Sequence, residues 1–186
     1  MSKAADLWWT GSTTGPDPLR DPIAFIRHEH DRQFELCSAL EDLVGALELE
    51  PVAEWAASFL DFLSRDLPLH IDDEELSLFP ILAARHGSES ELGVILEQLA
   101  SEHDTDRGLA DLIVEDLEVI AKGESPSQPA RFFMNVRAFC ETQRRHLNWE
   151  NRIVIPWAET LLTEADKVDL GRKMAARRSG PHAAQS

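Results

Sequence analysis

The chain has 186 residues, which is enough for one domain with a substantial core and too few for two comfortable ones. Its formal net charge of −16 argues against nucleic acid or an anionic membrane surface as a partner, because both would repel it. No apolar run approaches the roughly 20 residues that span a bilayer, and the N-terminus shows no secretory signal. We therefore expect a cytoplasmic protein.

The composition favours helices, since Leu, Ala and Glu are abundant and Tyr is absent. Cys37 and Cys140 are the two cysteines, so disulfides are not what stabilises the fold. The pair has no CxxC spacing, which removes the common zinc-ribbon and thioredoxin interpretations. Both cysteines are expected to be small core residues.

The first half of the chain predicts an irregular arm and two helices. Residues 1–20 carry Gly, Pro, Ser and Thr around two tryptophans, Trp8 and Trp9, that could dock on the rest of the fold. Asp21 and Pro22 are typical of a helix N-cap and first helical position, and the apolar pattern continues to about residue 48. A second helix runs from about residue 51 to 87, with kinks expected at its two internal prolines, Pro68 and Pro80.

The second half predicts three more helices. Ser88 and Glu91 resemble a capping box, and the third helix then continues to about residue 122. The fourth helix runs from about Pro129 through Trp157, and Thr163 starts a short fifth helix that ends near residue 178. Residues 179–186 should be disordered.

Long amphipathic helices with short connections are typical of an all-α, antiparallel up-and-down four-helix bundle, here with a short C-terminal fifth helix. We accordingly expect an irregular N-terminal arm at 1–20, a bundle domain at 21–178 and a disordered tail at 179–186.

A weak internal repeat carries the candidate chemistry. The tripeptide EHD occurs at 29–31 and again at 102–104, and each copy is followed by leucine or isoleucine at matching offsets. Both central histidines, His30 and His103, lie within an apolar stripe of their helix. They are therefore expected to point into the core.

The rest of each half repeats as HxxxE. His70 with Glu74 is matched by His146 with Glu150, and a proline follows at the same offset in both halves. Residues at i and i+4 lie on one face of a helix and can direct nitrogen and oxygen at a common point. Each half thus contributes one histidine followed by one HxxxE pair.

A single HxxxE is more often a surface pair, and a single core histidine is usually satisfied by hydrogen bonds. Four histidines and two glutamates on matched apolar stripes are different, because burying several such groups without a cation costs several kcal/mol. A purely structural bundle remains the alternative. Imidazole and carboxylate without thiolate favour iron, manganese or zinc, and two carboxylates suit bridging between two ions.

The pattern of His30, His70 with Glu74, His103, and His146 with Glu150 resembles the hemerythrin-like, HHE cation-binding family, over about residues 21–162. The resemblance implies a four-helix bundle with two iron ions bridged by oxo or hydroxo, for which manganese or zinc could substitute. It implies that His30 and His70 bind one ion, that His103 and His146 bind the other, and that the two glutamates bridge.

The resemblance also implies small-molecule partners: dioxygen, peroxide or nitric oxide at the metal centre. One departure argues against an oxygen carrier, because carriers have HxxxH in the third helix and this chain has Arg107 four residues after His103. The H-HxxxE-H-HxxxE subgroup matches better. It implies a role in oxidative or nitrosative stress or in oxygen or iron sensing; the alternatives are peroxide decomposition and iron donation to damaged iron-sulfur centres.

Helical spacing suggests residues that could orient the ligand histidines. Gln33 and Asp106 lie three residues after one, and Asp66 and Thr142 lie four residues before one. Asp106 could also be a ligand. No catalytic residue and no protein partner is predicted.

Overall fold

The computed structural model describes residues 15–47, 52–87 and 89–179. This part of the chain forms five helices and contains no strand. Helix α1 is Pro22–Ala46. Helix α2 comprises Ala53–Asp61, Leu67–Asp73 and Phe79–His86. Helix α3 is Glu91–Ala121, α4 comprises Pro129–Trp149 and Ile155–Leu161, and α5 is Glu164–Ser179. The all-α prediction with a short fifth helix is confirmed.

Side-chain hydrogen bonds cap two of the helix starts, and the first of these caps was predicted. Asp21 accepts the backbone N–H of Ala24 at 2.9 Å through Oδ1, which caps α1. Before α5, Asp166 accepts the Thr163 N–H at 2.9 Å, and the Thr163 hydroxyl accepts the Asp166 N–H at 3.3 Å. The capping box predicted at Ser88 and the arm around Trp8 and Trp9 lie outside the described residues, as do residues 180–186.

Three π-helical turns interrupt α2 and α4, at Phe62–Asp66, Glu74–Leu78 and Glu150–Val154. After each turn the next residue donates its N–H to the carbonyl five residues back, and a proline follows one position later. Because proline lacks an N–H, the usual i to i−4 bond cannot form there, which makes the wider turn less costly. The prolines predicted as kinks thus mark changes of helical register.

The chain divides into two compact units. The second unit, residues 15–30, 69–103 and 147–179 of the described chain, contains the start of α1, the end of α2, the start of α3, the end of α4 and all of α5. This alternation of starts and ends agrees with an antiparallel arrangement. All five helices contribute to its apolar core, which includes Ile26, Leu82, Leu99, Ile155 and Met174.

The first unit, residues 31–68 and 104–146, has a core rich in phenylalanine. Phe59, Phe62, Phe132 and Phe139 are its largest fully buried side chains. Cys37 and Cys140 are free thiols buried in this unit, and the Cys140 thiol donates to the Cys37 carbonyl at 3.4 Å. Their prediction as core residues is confirmed.

Helix α5 lies close to the segment before α1. A Cβ atom added to Gly171 would overlap the Pro18 carbonyl oxygen, so only glycine allows this approach. Leu170 and Met174 on either side are fully buried. Within the described residues, no helix is both long enough and apolar enough to cross a membrane.

Candidate metal centre

The six predicted ligands are buried, with at most 3% of each exposed. Four helices position them. His30 lies on α1, His70 on α2 and His103 on α3, while His146 lies on α4 one turn before Glu150. Glu74 and Glu150 are each the first residue of a π-helical turn.

The ligand atoms form two groups of four that share both glutamates. One group is His30, His70, Glu74 and Glu150, and the other is Glu74, His103, His146 and Glu150. Within each group the ligand atoms lie within 4.8 Å of one another. The grouping is the one that the family resemblance implies, with two histidines for each of two ions and two shared carboxylates.

The two carboxylates lie between the histidines. Glu74 Oε1 is 3.3 Å from His30 Nε2, and its Oε2 is 3.5 Å from His70 Nε2 and 3.4 Å from His103 Nε2. Glu150 completes the pattern, since its Oε2 is 3.4 Å from His30 Nε2 and its Oε1 is 3.8 Å from His103 Nε2.

Two of the imidazole rings are oriented by the residues that directly follow the glutamates. Asn151 Oδ1 lies 2.8 Å from His30 Nδ1, and Glu75 Oε1 lies 2.9 Å from His103 Nδ1. Both oxygens are acceptors, so the Nδ1 atoms donate and each Nε2 faces the carboxylates. Spacing alone did not reveal these two partners, although both stand at the same offset in the two HxxxE units.

Three of the four residues suggested by spacing have hydrogen bonds to groups other than the ligand histidines, and the fourth, Asp106, is buried. Gln33 accepts a 2.6 Å hydrogen bond from Gln143, Asp66 accepts one from Arg32 at 3.0 Å, and the Thr142 hydroxyl donates to the carbonyl oxygens of Ala138 and Phe139.

Arg107, at the position where an oxygen carrier has a fifth histidine, pairs with Asp104 at 3.1 Å.

The charges of these buried side chains favour the binding of cations. Burial raises the pKa of Glu74, but the nearby histidines outweigh it and hold that pKa well below its usual range. Burial and the charge of Glu74 raise the pKa of Glu150 well above its usual range. Burial lowers the pKa of His30, yet the hydrogen bond that His30 donates to Glu74 and the charge of Glu150 raise this pKa overall. Without a metal, the Glu74 carboxylate is therefore ionised and paired with histidines, while the neighbouring Glu150 carboxyl is favoured in its protonated form.

The donor set fits metal ions on two further grounds. Glu74 Oε2 is buried and has no hydrogen-bond partner, which is costly unless a cation binds it. Two ligand atoms on one ion, with bonds of about 2.1 Å, lie about 3.0–3.4 Å apart. Four of the five observed separations between imidazole nitrogens and carboxylate oxygens are 3.3–3.5 Å, close to that range, and the fifth is 3.8 Å.

The profile of the hemerythrin HHE cation-binding domain matches residues 21–158, well over half of the chain. The chain belongs to this family. No curated protein and no solved structure was found to match it. Membership in the hemerythrin family makes this a metal-binding helical domain with small molecules as partners at the metal centre. Among the described residues, the two buried groups are ones that could hold metal ions.

Proposed function

We propose that this hemerythrin-family protein is a non-haem di-iron protein in which His30 and His70 bind one ion and His103 and His146 bind the other. Glu74 and Glu150 bridge the two. The observation that carries the proposal is the sharing of both glutamates by two groups of four ligand atoms. Six ligands divided between two ions leave coordination positions for an exogenous molecule.

Iron is the proposed metal because imidazole and carboxylate ligands without thiolate suit it, and manganese and zinc remain possible substitutes. Cys37 and Cys140 are free thiols, the Cys140 thiol donates to the Cys37 carbonyl oxygen, and neither cysteine belongs to either group. The ions would supply Lewis acidity and, for iron, electron exchange with a small oxidant. The protein's own residues would fix the ligand geometry and exclude bulk water.

Burial of the ligands restricts what can react there. Since the six side chains expose at most 3% of their surface, only a small molecule could reach the ions. Dioxygen, peroxide and nitric oxide meet this condition. We infer a role in the response to oxidative or nitrosative stress or in oxygen or iron sensing, and we assign the chain to the H-HxxxE-H-HxxxE subgroup. Arg107 in place of a fifth histidine supports a role other than oxygen carriage.

The test is metal content by plasma mass spectrometry with the visible absorption spectrum, after anaerobic loading with Fe²⁺ and exposure to air. Wild type should hold about two irons per chain and show an oxo-bridge charge-transfer band. His70→Ala with His146→Ala should lose both, whereas His86→Ala, at the end of α2 and outside both groups, should keep both. A wild-type protein without metal would contradict the proposal, and so would undiminished iron in the double variant.

A sensor and an enzyme make different demands on the same site. Ligands drawn from four helices couple metal binding to folding, which a sensor would use through a change of stability. Rapid peroxide turnover by the loaded protein, lost in His70→Ala, would identify an enzyme instead. Equal protease resistance of the apo and loaded forms would argue against a fold-coupled sensor.

A further inference from the structure

The two halves of the metal centre differ at one matched position. In each HxxxE unit, the residue directly after the glutamate hydrogen-bonds the Nδ1 of the EHD histidine from the opposite half of the sequence. Asn151 of the second half bonds His30 at 2.8 Å, and Glu75 of the first half bonds His103 at 2.9 Å. One histidine therefore donates to a neutral amide oxygen and the other to a carboxylate.

The type of acceptor changes the basicity of the imidazole that donates to it. A carboxylate acceptor on Nδ1–H makes the imidazole more basic and a stronger metal ligand than an amide acceptor does. Glu75 also adds a negative charge near the ion that His103 would bind, and Asn151 adds none near the ion that His30 would bind. Both acceptors are partly buried and both bonds are short.

We propose that Glu75 and Asn151 are positioning residues that make the two metal positions unequal, with the tighter position on His103 and His146. This inference rests on the proposed two-metal function. It predicts that the positions fill in sequence, so that one ion stays bound under conditions in which the other exchanges. Such a protein would have a permanent ion and a responsive one.

Half-site variants measure each position separately, with Zn²⁺ as a redox-inert probe in competition with a chromophoric chelator. His70→Ala retains the His103 and His146 position, and His146→Ala retains the His30 and His70 position. We expect about tenfold tighter Zn²⁺ binding by His70→Ala. Equal affinities of the two half-site proteins would overturn the inference.

Near-isosteric substitutions then test the two positioning residues. Glu75→Gln should weaken Zn²⁺ binding about tenfold in the His70→Ala protein and leave the His146→Ala protein unchanged. Asn151→Asp should strengthen binding in the His146→Ala protein and leave the other unchanged. Glu118→Gln and Asn148→Asp, two exposed positions with the same changes of charge, serve as controls. Equal effects on both half-site proteins would refute a positioning role and indicate general electrostatics.

A calorimetric Zn²⁺ titration of the protein with all six ligands decides the question if a half-site protein fails to bind. The wild type should show two binding steps, and Asn151→Asp should bring them together. A single unresolved step in wild type that neither substitution changes would overturn the inference while leaving the two-metal proposal intact. No Zn²⁺ binding and no iron binding at all would instead contradict the proposed function.

Discussion

Replacing Asp73 by Asn should weaken the packing of α5 against the part of α2 that carries His70 and Glu74. The Asp73 carboxylate is 1% exposed and receives hydrogen bonds from Arg177 at 2.7 Å and from Arg178 at 2.5 Å. Arg177 also donates to the Ser77 hydroxyl at 2.6 Å, and the Arg178 guanidinium lies 4.5 Å from the Phe25 ring centroid. These contacts stabilise the packing of α5 against the π-helical turn that begins at Glu74.

Removing one partner of a buried ion pair typically costs about 3–5 kcal/mol. The two arginine side chains are 19% and 24% exposed, so they can turn towards water and recover part of that loss. Burial raises the pKa of Asp73 despite the two guanidinium groups, so the desolvation of the carboxylate offsets part of what the ion pairs contribute. The loss in Asp73→Asn comes from removing the anionic acceptor of both arginines, and we expect it to lower the free energy of unfolding by about 1–3 kcal/mol. With an m-value near 2 kcal/mol/M, the urea midpoint should fall by about 0.5–1.5 M.

Urea unfolding of the apoprotein, followed by circular dichroism, measures this change. Asp72→Asn is the matched control, because it removes the same charge from the neighbouring, more exposed residue. It should change the midpoint little. If Asp73→Asn shifted the midpoint no more than Asp72→Asn does, the reasoning that α5 is held through this carboxylate would be refuted.

Three further outcomes follow. Metal at about 100 times its Kd should raise stability by about 2.7 kcal/mol and Tm by about 5–10 °C, as measured by scanning calorimetry, and His70→Ala should reduce the shift; an unchanged shift would contradict the ligand assignment. Phe139→Ala, at a fully buried position, should lower the free energy of unfolding in urea by about 3–5 kcal/mol. Phe133→Ala, at a half-exposed position, should lower it much less. The hydrogen bond from Arg85 lowers the pKa of Asp166 to about 2, so Asp166→Asn should lower Tm at neutral pH. That difference should vanish as the pH falls from 4 to 2, and a constant difference would be inconsistent with it.

The sequence was sufficient to select the six residues that the structure brings together in two buried groups, because helical spacing is local. His70 and Glu74 share a face through the geometry of one helix, and the EHD repeat selects His30 rather than His28. Matching the two halves then related helices that are distant in the chain. These arguments needed no knowledge of how the helices contact one another.

Tertiary contacts explain what the sequence could not predict. Glu75 follows a ligand directly and looks like a solvent-facing acid, and only the approach of α3 brings the His103 ring to it. Asp73 meets Arg177 and Arg178 from a helix more than a hundred residues later, a pairing that no periodicity encodes. The change of register before Pro80 depends on the sum of backbone and packing energies, so the sequence indicated a kink and left its form open.

Replacing Glu150 by Gln distinguishes a metal site from a structural polar cluster, because the two hypotheses predict opposite changes in the stability of the apoprotein. In the apoprotein, burial and the charge of Glu74 raise the pKa of Glu150 well above its usual range. A raised folded-state pKa costs stability once the pH exceeds the unfolded value, since the unfolded chain can ionise and the folded chain cannot. Glutamine avoids this cost, so Glu150→Gln should stabilise the apoprotein at pH 7, and the gain should shrink as the pH falls towards 4. The same change should abolish most of the stabilisation by metal, because it removes a shared ligand.

If Glu150 were a structural residue, its loss would destabilise the apoprotein and metal would have no effect. Thermal unfolding of the wild type and of Glu150→Gln, each with and without Zn²⁺, decides between the two hypotheses. Glu150 would then lower the stability of the apoprotein and raise it only when a cation is bound. Selection for metal binding, rather than for folding alone, would retain such a residue.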